Sequence, residues 1–268
     1  MTKHAFFIGL VTLLVACSGK NNSELGKLYE QSLQEQKKPV IPHIDQQLKK
    51  VIDRYGLTGE PTLTSTTDIA STRAQLGKKL FFSRALSGDL NVACASCHHP
   101  LLGGGDNLSL SVGVNSRHVE TLGVGRRHKG SGNPVIARNA PTTFNLAFWK
   151  NTLFHDGRVQ KISNGDITTP DVKFPEPDPQ AGGDLLQAQA RFPVTSSNEM
   201  RGESFHKGDS AQEYREKLAA RLGGYGSQAN ELTKAETQYW LNEFRVAFNA
   251  PDGLPNTLIT EQLSLIHI

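Results

Sequence analysis

Apolar positions recur at helical spacing in four stretches of the chain, and the residues flanking them supply start and stop signals. Ile69, Leu76 and Leu80 share one face of a segment that Asp68 can cap and that runs to about Phe82. Pro141 suits a first helical turn and precedes a short helix predicted over Thr142 to Trp149. Ser210 and Glu213 form a capping box for a helix to Leu222, ended by Gly223-Gly224, with Ala211, Tyr214, Leu218 and Leu222 on its apolar face. Thr233 and Glu236 repeat the box before a helix carrying Trp240, Phe244 and Phe248. Long Gly- and Pro-rich loops separate these helices, notably 103–132 and 162–183, and no strand alternation or internal repeat is visible. The fold class this predicts is all-α.

The 268 residues suit one large domain or two small ones. Lys and Arg number 29 against 26 Asp and Glu, and no basic run stands out, so nucleic acid is not an expected partner. The chain opens on a short basic segment, Thr2-Lys3-His4. An apolar run follows, Ala5 to Val15, too short to span a bilayer, and together they read as an export signal. Leu14-Val15-Ala16-Cys17 resembles a bacterial lipobox, in which residues 1–16 are removed and the Cys17 sulfur is acylated; an ordinary signal peptide with a chance cysteine is the alternative. Stable anchoring takes more than one acyl chain, which bacterial lipoproteins carry, and Ser18 favours the outer membrane. Residues 17–42 then read as a polar tether, leaving the domain in the periplasm. At the other end, residues 263–268 match what a transposon sequencing adapter encodes, so natural sequence is expected to end near Gln262.

Of the three cysteines, Cys94 and Cys97 stand two residues apart and are followed at once by His98. Cys-x-x-Cys-His is the c-type haem attachment pattern: the thiols add to the two vinyl groups, and the histidine lies under the ring as an axial iron ligand. A disulfide is the first rival in an oxidising compartment. A thioredoxin-type pair wants a βαβ setting, and a closed zinc site wants a fourth ligand that no second cysteine pair supplies. An export signal favours haem. With haem, the helices read as a cytochrome c-like domain in which the cofactor replaces much of the core.

Further blocks carry a resemblance. Leu76-Gly-Lys-Lys-Leu-Phe-Phe-Ser-Arg-Ala-Leu-Ser87 leads into the haem motif. After it come Gly103-Gly104-Gly105-Asp106, Arg138-Asn139-Ala140-Pro141-Thr142, Phe154-His155-Asp156-Gly157-Arg158, and Pro193 with Glu199-Met200. The series, in this order, resembles the bacterial di-haem cytochrome c peroxidase family, which includes the methylamine-utilisation enzyme MauG. That resemblance implies two cytochrome-like domains with one haem c each. The chain stops shortly before a second Cys-x-x-Cys-His would be expected, so it reads as a truncated protein. Residues 43–200 are then the first haem domain and residues 201–262 an incomplete start of the second, and the fragment alone is expected to be inactive.

The resemblance also implies roles. His98 is the proximal ligand of the haem where hydrogen peroxide reacts, Glu199 is the distal acid/base carboxylate and Gln189 the glutamine beside it. Asn139 matches a side-chain ligand of a calcium ion between the domains; alone, it reads as a helix-preceding Asn that satisfies backbone groups. Two departures matter. His155 occupies the position of a tryptophan between the haems, which leaves the electron relay in doubt. The histidine that caps the first haem in many members aligns with Val114, so the sixth position is expected to be open unless His118 or His128 reaches it. The expected function is reduction of hydrogen peroxide with electrons from a small cytochrome c or copper protein, and a homodimer is compatible with it. The alternatives are a MauG-like oxidase of a protein or organic partner and, from another class, a lipid-anchored mono-haem electron carrier.

Overall fold

The computed structural model describes Glu24 and residues 26–31, 42–59, 68–226 and 231–262. The export run, Cys17 and residues 263–268 lie outside these, as does most of the tether. The chain divides into two units between Thr62 and Leu63. In the first, residues 24 and 26–31 are helical and exposed where a plain tether is expected. Helix α1 (His43–Tyr55) follows, stopped by Gly56 in the left-handed conformation, and its Ile44, Leu48, Val51 and Tyr55 recur at helical spacing while all remain exposed.

The second unit is built around helix α2 (Thr72–Phe82). Ser71 caps it, its Oγ accepting the Ala74 N–H at 3.3 Å, whereas Asp68 closes only the preceding turn by accepting the Ala70 N–H. Ile69 therefore falls outside the helix and is exposed, while Leu76 and Leu80 are buried as expected. The turn α3 (Cys94–Cys97) and the short helix α4 (Leu185–Ala190) precede the two longest helices of this unit, α5 (Ala211–Gly223) and α6 (Lys234–Phe248). Both predicted capping boxes are present: Glu213 Oε2 takes the Ser210 N–H at 2.9 Å, and Glu236 Oε2 takes that of Thr233 at 2.7 Å. A last turn, α7 (Pro255–Leu258), closes the unit.

Tyr214 and Leu218 of α5 pack with Phe205, while Leu222 joins Trp240, Phe244 and Ala247 of α6 in one core with Leu76, Leu80, Val92, Val114 and Met200. The boundary expected at residue 200 therefore does not fall there. The apolar face of α6 needs a partner and finds α2, held further by Lys79–Glu243 at 2.6 Å and Thr72 Oγ1 to the Ala247 carbonyl at 3.3 Å. Helices on both sides of residue 200 thus share one core within the second unit. Phe244 is fully buried, so Phe244→Ala is expected to cost about 3–5 kcal/mol in a denaturant titration, the usual penalty for emptying an aromatic site.

Arg221 ties α5 to the segment that leads into the cysteines. Its fully buried guanidinium donates to the carbonyls of Ala85 and Ser87 at 2.6 Å and of Gly88 at 2.9 Å, and it pairs with Glu231. A buried charge is tolerable when it is paired and hydrogen-bonded in this way.

Two expectations fail locally. The helix predicted over Thr142 to Trp149 is replaced by a 3-10 turn at Leu146–Phe148. Thr142 Oγ1 and the Thr143 N–H bond to the Gly103 and Gly104 carbonyls instead, and Asn145 enters the left-handed region, which a helix cannot continue through. A small antiparallel sheet also forms: β1 (Thr152–Leu153), β2 (Val159–Lys161) and β3 (Ile167–Thr168), in that order. Strands of two or three residues show no alternation in sequence. They form because Leu153, Val159 and Ile167 bury together against Leu185 and Ala188 of α4. The long loop after β3 is pinned by a network in which Arg191 reaches Asp178 at 2.7 Å and Asp171 at 3.3 Å, and Arg215 reaches Asp171 at 2.7 Å.

Candidate functional site

The Cys-x-x-Cys-His segment is shaped by one side-chain bond: Ser96 Oγ accepts the Ala93 N–H at 3.0 Å and starts α3. Both thiols are free. Cys94 Sγ lies 4.0 Å from Met200 Sδ, and Cys97 Sγ lies 3.8 Å from the Val112 carbonyl oxygen. Burial pushes the two thiols up, Cys94 to about 11 and Cys97 to about 12. Reactive redox thiols have the opposite character, a lowered value that favours thiolate. Among the described residues, no group of three or more His, Cys, Asp or Glu is placed to hold a metal ion. The disulfide, dithiol and zinc readings each lack what they require.

His98 is oriented by two backbone carbonyls. Its Nδ1 lies 3.0 Å from the Pro141 oxygen and 3.3 Å from the Gly104 oxygen. Carbonyls only accept, so Nδ1 carries the hydrogen and Nε2 is left with a free lone pair. Burial lowers the His98 pKa, which favours this neutral form. A ligating histidine is prepared for iron in the same way, with its other nitrogen donating to a backbone carbonyl. Leu101, Phe144 and Trp149, close in sequence to His98 and Pro141, expose apolar surface, which a large flat cofactor would cover. Two free thiols, a bare imidazole nitrogen and open apolar surface together fit a c-type haem.

Glu199 and Met200 sit in a single π-helical turn, Ser197–Arg201, a geometry frequent at functional sites. The turn is stitched on both sides: the Val114 N–H donates to the Asn198 carbonyl at 3.2 Å and the Gly88 N–H to that of Met200 at 2.8 Å. Gly113 allows the close approach, because a Cβ there would fall inside contact distance of the Asn198 oxygen and 2.5 Å from that of Glu199. Burial pushes the Glu199 carboxyl up and the Arg158 guanidinium pulls it down. Met200, next to Glu199 in the turn, lies against Cys94.

The other sequence-predicted residues are placed differently. Gln189 is half-buried on α4, and its amide bonds to no described residue, Glu199 included. Asn139 is exposed and its Nδ2 donates to the Leu108 carbonyl at 2.5 Å. His155 stands exposed in the β1–β2 turn without a polar or ring contact to any described residue. From that same turn Arg158 stacks 3.5 Å from the Phe154 ring centre and bonds Asp156 at 3.0 Å, and its charge lowers the Glu199 pKa. Val114 is buried against the Glu199 turn. His118 is exposed. His128 Nδ1 accepts the Ser131 N–H at 3.1 Å, so its neutral ring carries hydrogen on Nε2, the nitrogen an iron would need.

Three residues were missed. Arg126 is fully buried and donates to the carbonyls of Val112, Gly113, Val119 and Thr121. Asp106 is 1% exposed, with Oδ1 taking the Leu108 N–H and Oδ2 without a partner. Gly113 is the third. A basic residue in a loop ordinarily reads as solvated, and a single glycine in an apolar run carries no signal of what presses on it.

The chain is similar in sequence to several known proteins. Over 93 residues the chain is 40% identical to cytochrome-c peroxidase IdrP2 of Pseudomonas sp. (strain SCT), a match covering 35% of this chain and 20% of that one. It is 31% identical over 128 residues to methylamine utilization protein MauG of Methylorubrum extorquens, covering 48% and 24%. These matches thus span about a fifth to a quarter of the relatives' length. A crystal structure of a MauG-like protein associated with microbial copper homeostasis aligns with a TM-score of 0.41 and 17% identity, over 78% of this chain and 44% of that one. The profile described as di-haem cytochrome c peroxidase matches residues 71–252, most of the chain, and the protein belongs to that family.

Proposed function

We propose that this chain is the peroxide-reacting haem domain of an exported di-haem cytochrome c peroxidase. Membership of the family implies an oxidoreductase with haem c. Cys94 and Cys97 are the residues to hold the haem covalently and His98 the one to ligate its iron through Nε2. A haem bound there supplies a redox-active iron that takes up electrons and binds peroxide. The observation that carries the reading is the placement of Glu199, a partly buried carboxyl with a raised pKa, in the turn whose Met200 lies against Cys94. Reducing hydrogen peroxide to two waters consumes two electrons and two protons. Glu199 takes the proton lost by one peroxide oxygen and returns it to the departing one, as a single group within reach of both can do.

The Arg126 clamp fixes the loop that backs Glu199, and Arg158 sets its charge balance. Gln189 would stand beside Glu199 as the resemblance implies, and His128, whose Nδ1 accepts the Ser131 N–H, is not offered as a further ligand. Asn139 keeps its carbonyl oxygen for a calcium ion. Electrons come from a small cytochrome c or copper protein through a second haem, for which these 268 residues hold no further Cys-x-x-Cys-His. Cys17 anchors the protein to the outer membrane from the periplasm. A MauG-like oxidase of an organic or protein partner is the second reading, favoured by the wider share of this chain, 48%, that the MauG match covers.

The test is covalent haem. Expressed with a cytochrome c maturation system, the exported chain is expected to gain the mass of one haem and a Soret band that survive denaturation. Cys94→Ser with Cys97→Ser should lose both. A wild-type chain that matures without added mass removes the proposal.

A further inference from the structure

Asp106 is a buried acid with no part in the proton transfer at Glu199. Its Oδ1 accepts the Leu108 N–H at 3.1 Å, and its Oδ2 has no partner among the described residues. A carboxylate oxygen enclosed in this way forfeits the water it would hold at the surface, so the fold keeps it at a cost. The turn does not require the charge, since an asparagine closes the same two-residue turn with its own Oδ1.

Chain pairing brings Asp106 to His98. The His99 N–H donates to the Gly105 carbonyl at 3.0 Å and the Gly104 N–H to that of His99 at 3.1 Å, closing an antiparallel bridge. The same hairpin presents the Gly104 carbonyl to His98 Nδ1 at 3.3 Å, and Asp106 follows the bridge directly. Gly104 is locked in the left-handed region, where a Cβ would meet the Thr143 nitrogen at 2.9 Å. Gly123 closes over the other side, where a Cβ would lie 3.6 Å from the Asp106 carbonyl oxygen. The nearest buried cation is uneven in its effect. Behind burial, which dominates at Cys97, the charge of Arg126 acts there against the smaller influence of Asp106. At His98, after burial and the two carbonyl bonds, the charge felt is that of Asp106. Arg126 bonds to backbone carbonyls and leaves the free Asp106 oxygen untouched.

We propose that Asp106 is a positioning residue that acts through His98, its buried charge holding down the reduction potential of the iron that His98 ligates. The inference rests on the haem reading of Cys94, Cys97 and His98. One-electron reduction removes a positive charge from the iron, so a fixed negative charge nearby favours the oxidised form, and more strongly in a weakly polar interior than in water. Charge and hydrogen bonding behind an axial histidine are among the means by which a protein sets a haem potential. A low potential suits an iron that must give electrons up to peroxide. The rival role confines Asp106 to the turn it closes with Leu108.

The haem-loaded chain would be titrated at an electrode, without peroxide, and followed through its Soret band. Asp106→Asn keeps the acceptor for Leu108 and removes the charge. It is expected to raise the midpoint potential by about 59 mV, a tenfold change in a one-electron equilibrium. Asp106→Ser, whose hydroxyl can also take the Leu108 N–H, should move it in the same direction. Asp106→Glu disturbs the turn but keeps the charge, and should stay closer to wild type than either. Asp166→Asn removes an exposed acid and should leave the potential unchanged, which separates a local field from net charge. Spectra of the oxidised and reduced forms should match wild type, so that no exchange of ligand accounts for the shift. An unchanged potential in both uncharged variants overturns the proposal. So does a shift as large in Asp106→Glu, or loss of haem from both uncharged variants, since either makes the turn and not the charge the role of Asp106. A wild-type chain that takes up no haem removes the haem reading, and this inference with it.

Discussion

Glu199→Gln is expected to keep covalent haem and to lose about a hundredfold to ten-thousandfold of peroxide turnover, the range that positioned acid–base groups contribute. The amide preserves the shape of the side chain and both stitches of its turn, which use the backbone of Asn198 and Met200. What it removes is a group able to take up and release a proton. The carboxyl suits that task because burial holds its pKa up while Arg158 keeps it from rising further. The check is steady-state peroxide consumption by the full-length enzyme carrying both haems, with the Soret band as the control for loading. Turnover within a factor of a few of wild type would take Glu199 out of the chemistry.

Gly113→Ala should be a severely damaging single methyl in the site. Its neighbours are the Asn198 carbonyl, the Glu199 carbonyl and the Glu199 Cα at 2.8 Å, all backbone, so no side chain can swing away. Either the Glu199 turn or the Val112–Val114 segment must shift. Overpacking of this kind costs about 1–3 kcal/mol, and displacing a catalytic group by an ångström can cost about a hundredfold in rate. Gly183→Ala is the matched control, since its nearest neighbour is the flexible end of Gln187 at 3.6 Å. The two variants would be compared for unfolding midpoint and turnover; equal behaviour would mean that the packing around Gly113 does not set the position of Glu199.

Much of the helical frame was legible because its signals are local. Ser210 with Glu213 and Thr233 with Glu236 announce α5 and α6 within a few residues, and Leu76 with Leu80, like Trp240 with Phe244, stand at helical spacing. The errors arose where distant groups decide. Thr142 and Thr143 would start a helix alone but bond to Gly103 and Gly104. The sheet depends on burial of Leu153, Val159 and Ile167 together. The boundary at residue 200 came from matching blocks along the chain, which cannot report that Trp240 and Phe244 pack on Leu76 and Leu80. The site divides in the same way. Cys94, Cys97 and His98 are contiguous and readable, and Glu199 was reached through resemblance. Arg126, Asp106 and Gly113 matter through what presses on them, which spacing does not encode.

The pairing of α2 with α6 also sets an order of events during folding. The bonds that join them link residues 164 and 175 positions apart, Lys79 with Glu243 and Thr72 with Ala247. Such contacts cannot form until both ends of the intervening loop have been made, and closing it carries an entropic cost. The cysteines lie inside that loop, so the chain emerges with its haem-binding motif open to a maturation enzyme well before the last helix arrives to seal the core. Assembly of the cofactor and completion of the fold are therefore separated in time by the length of the chain itself.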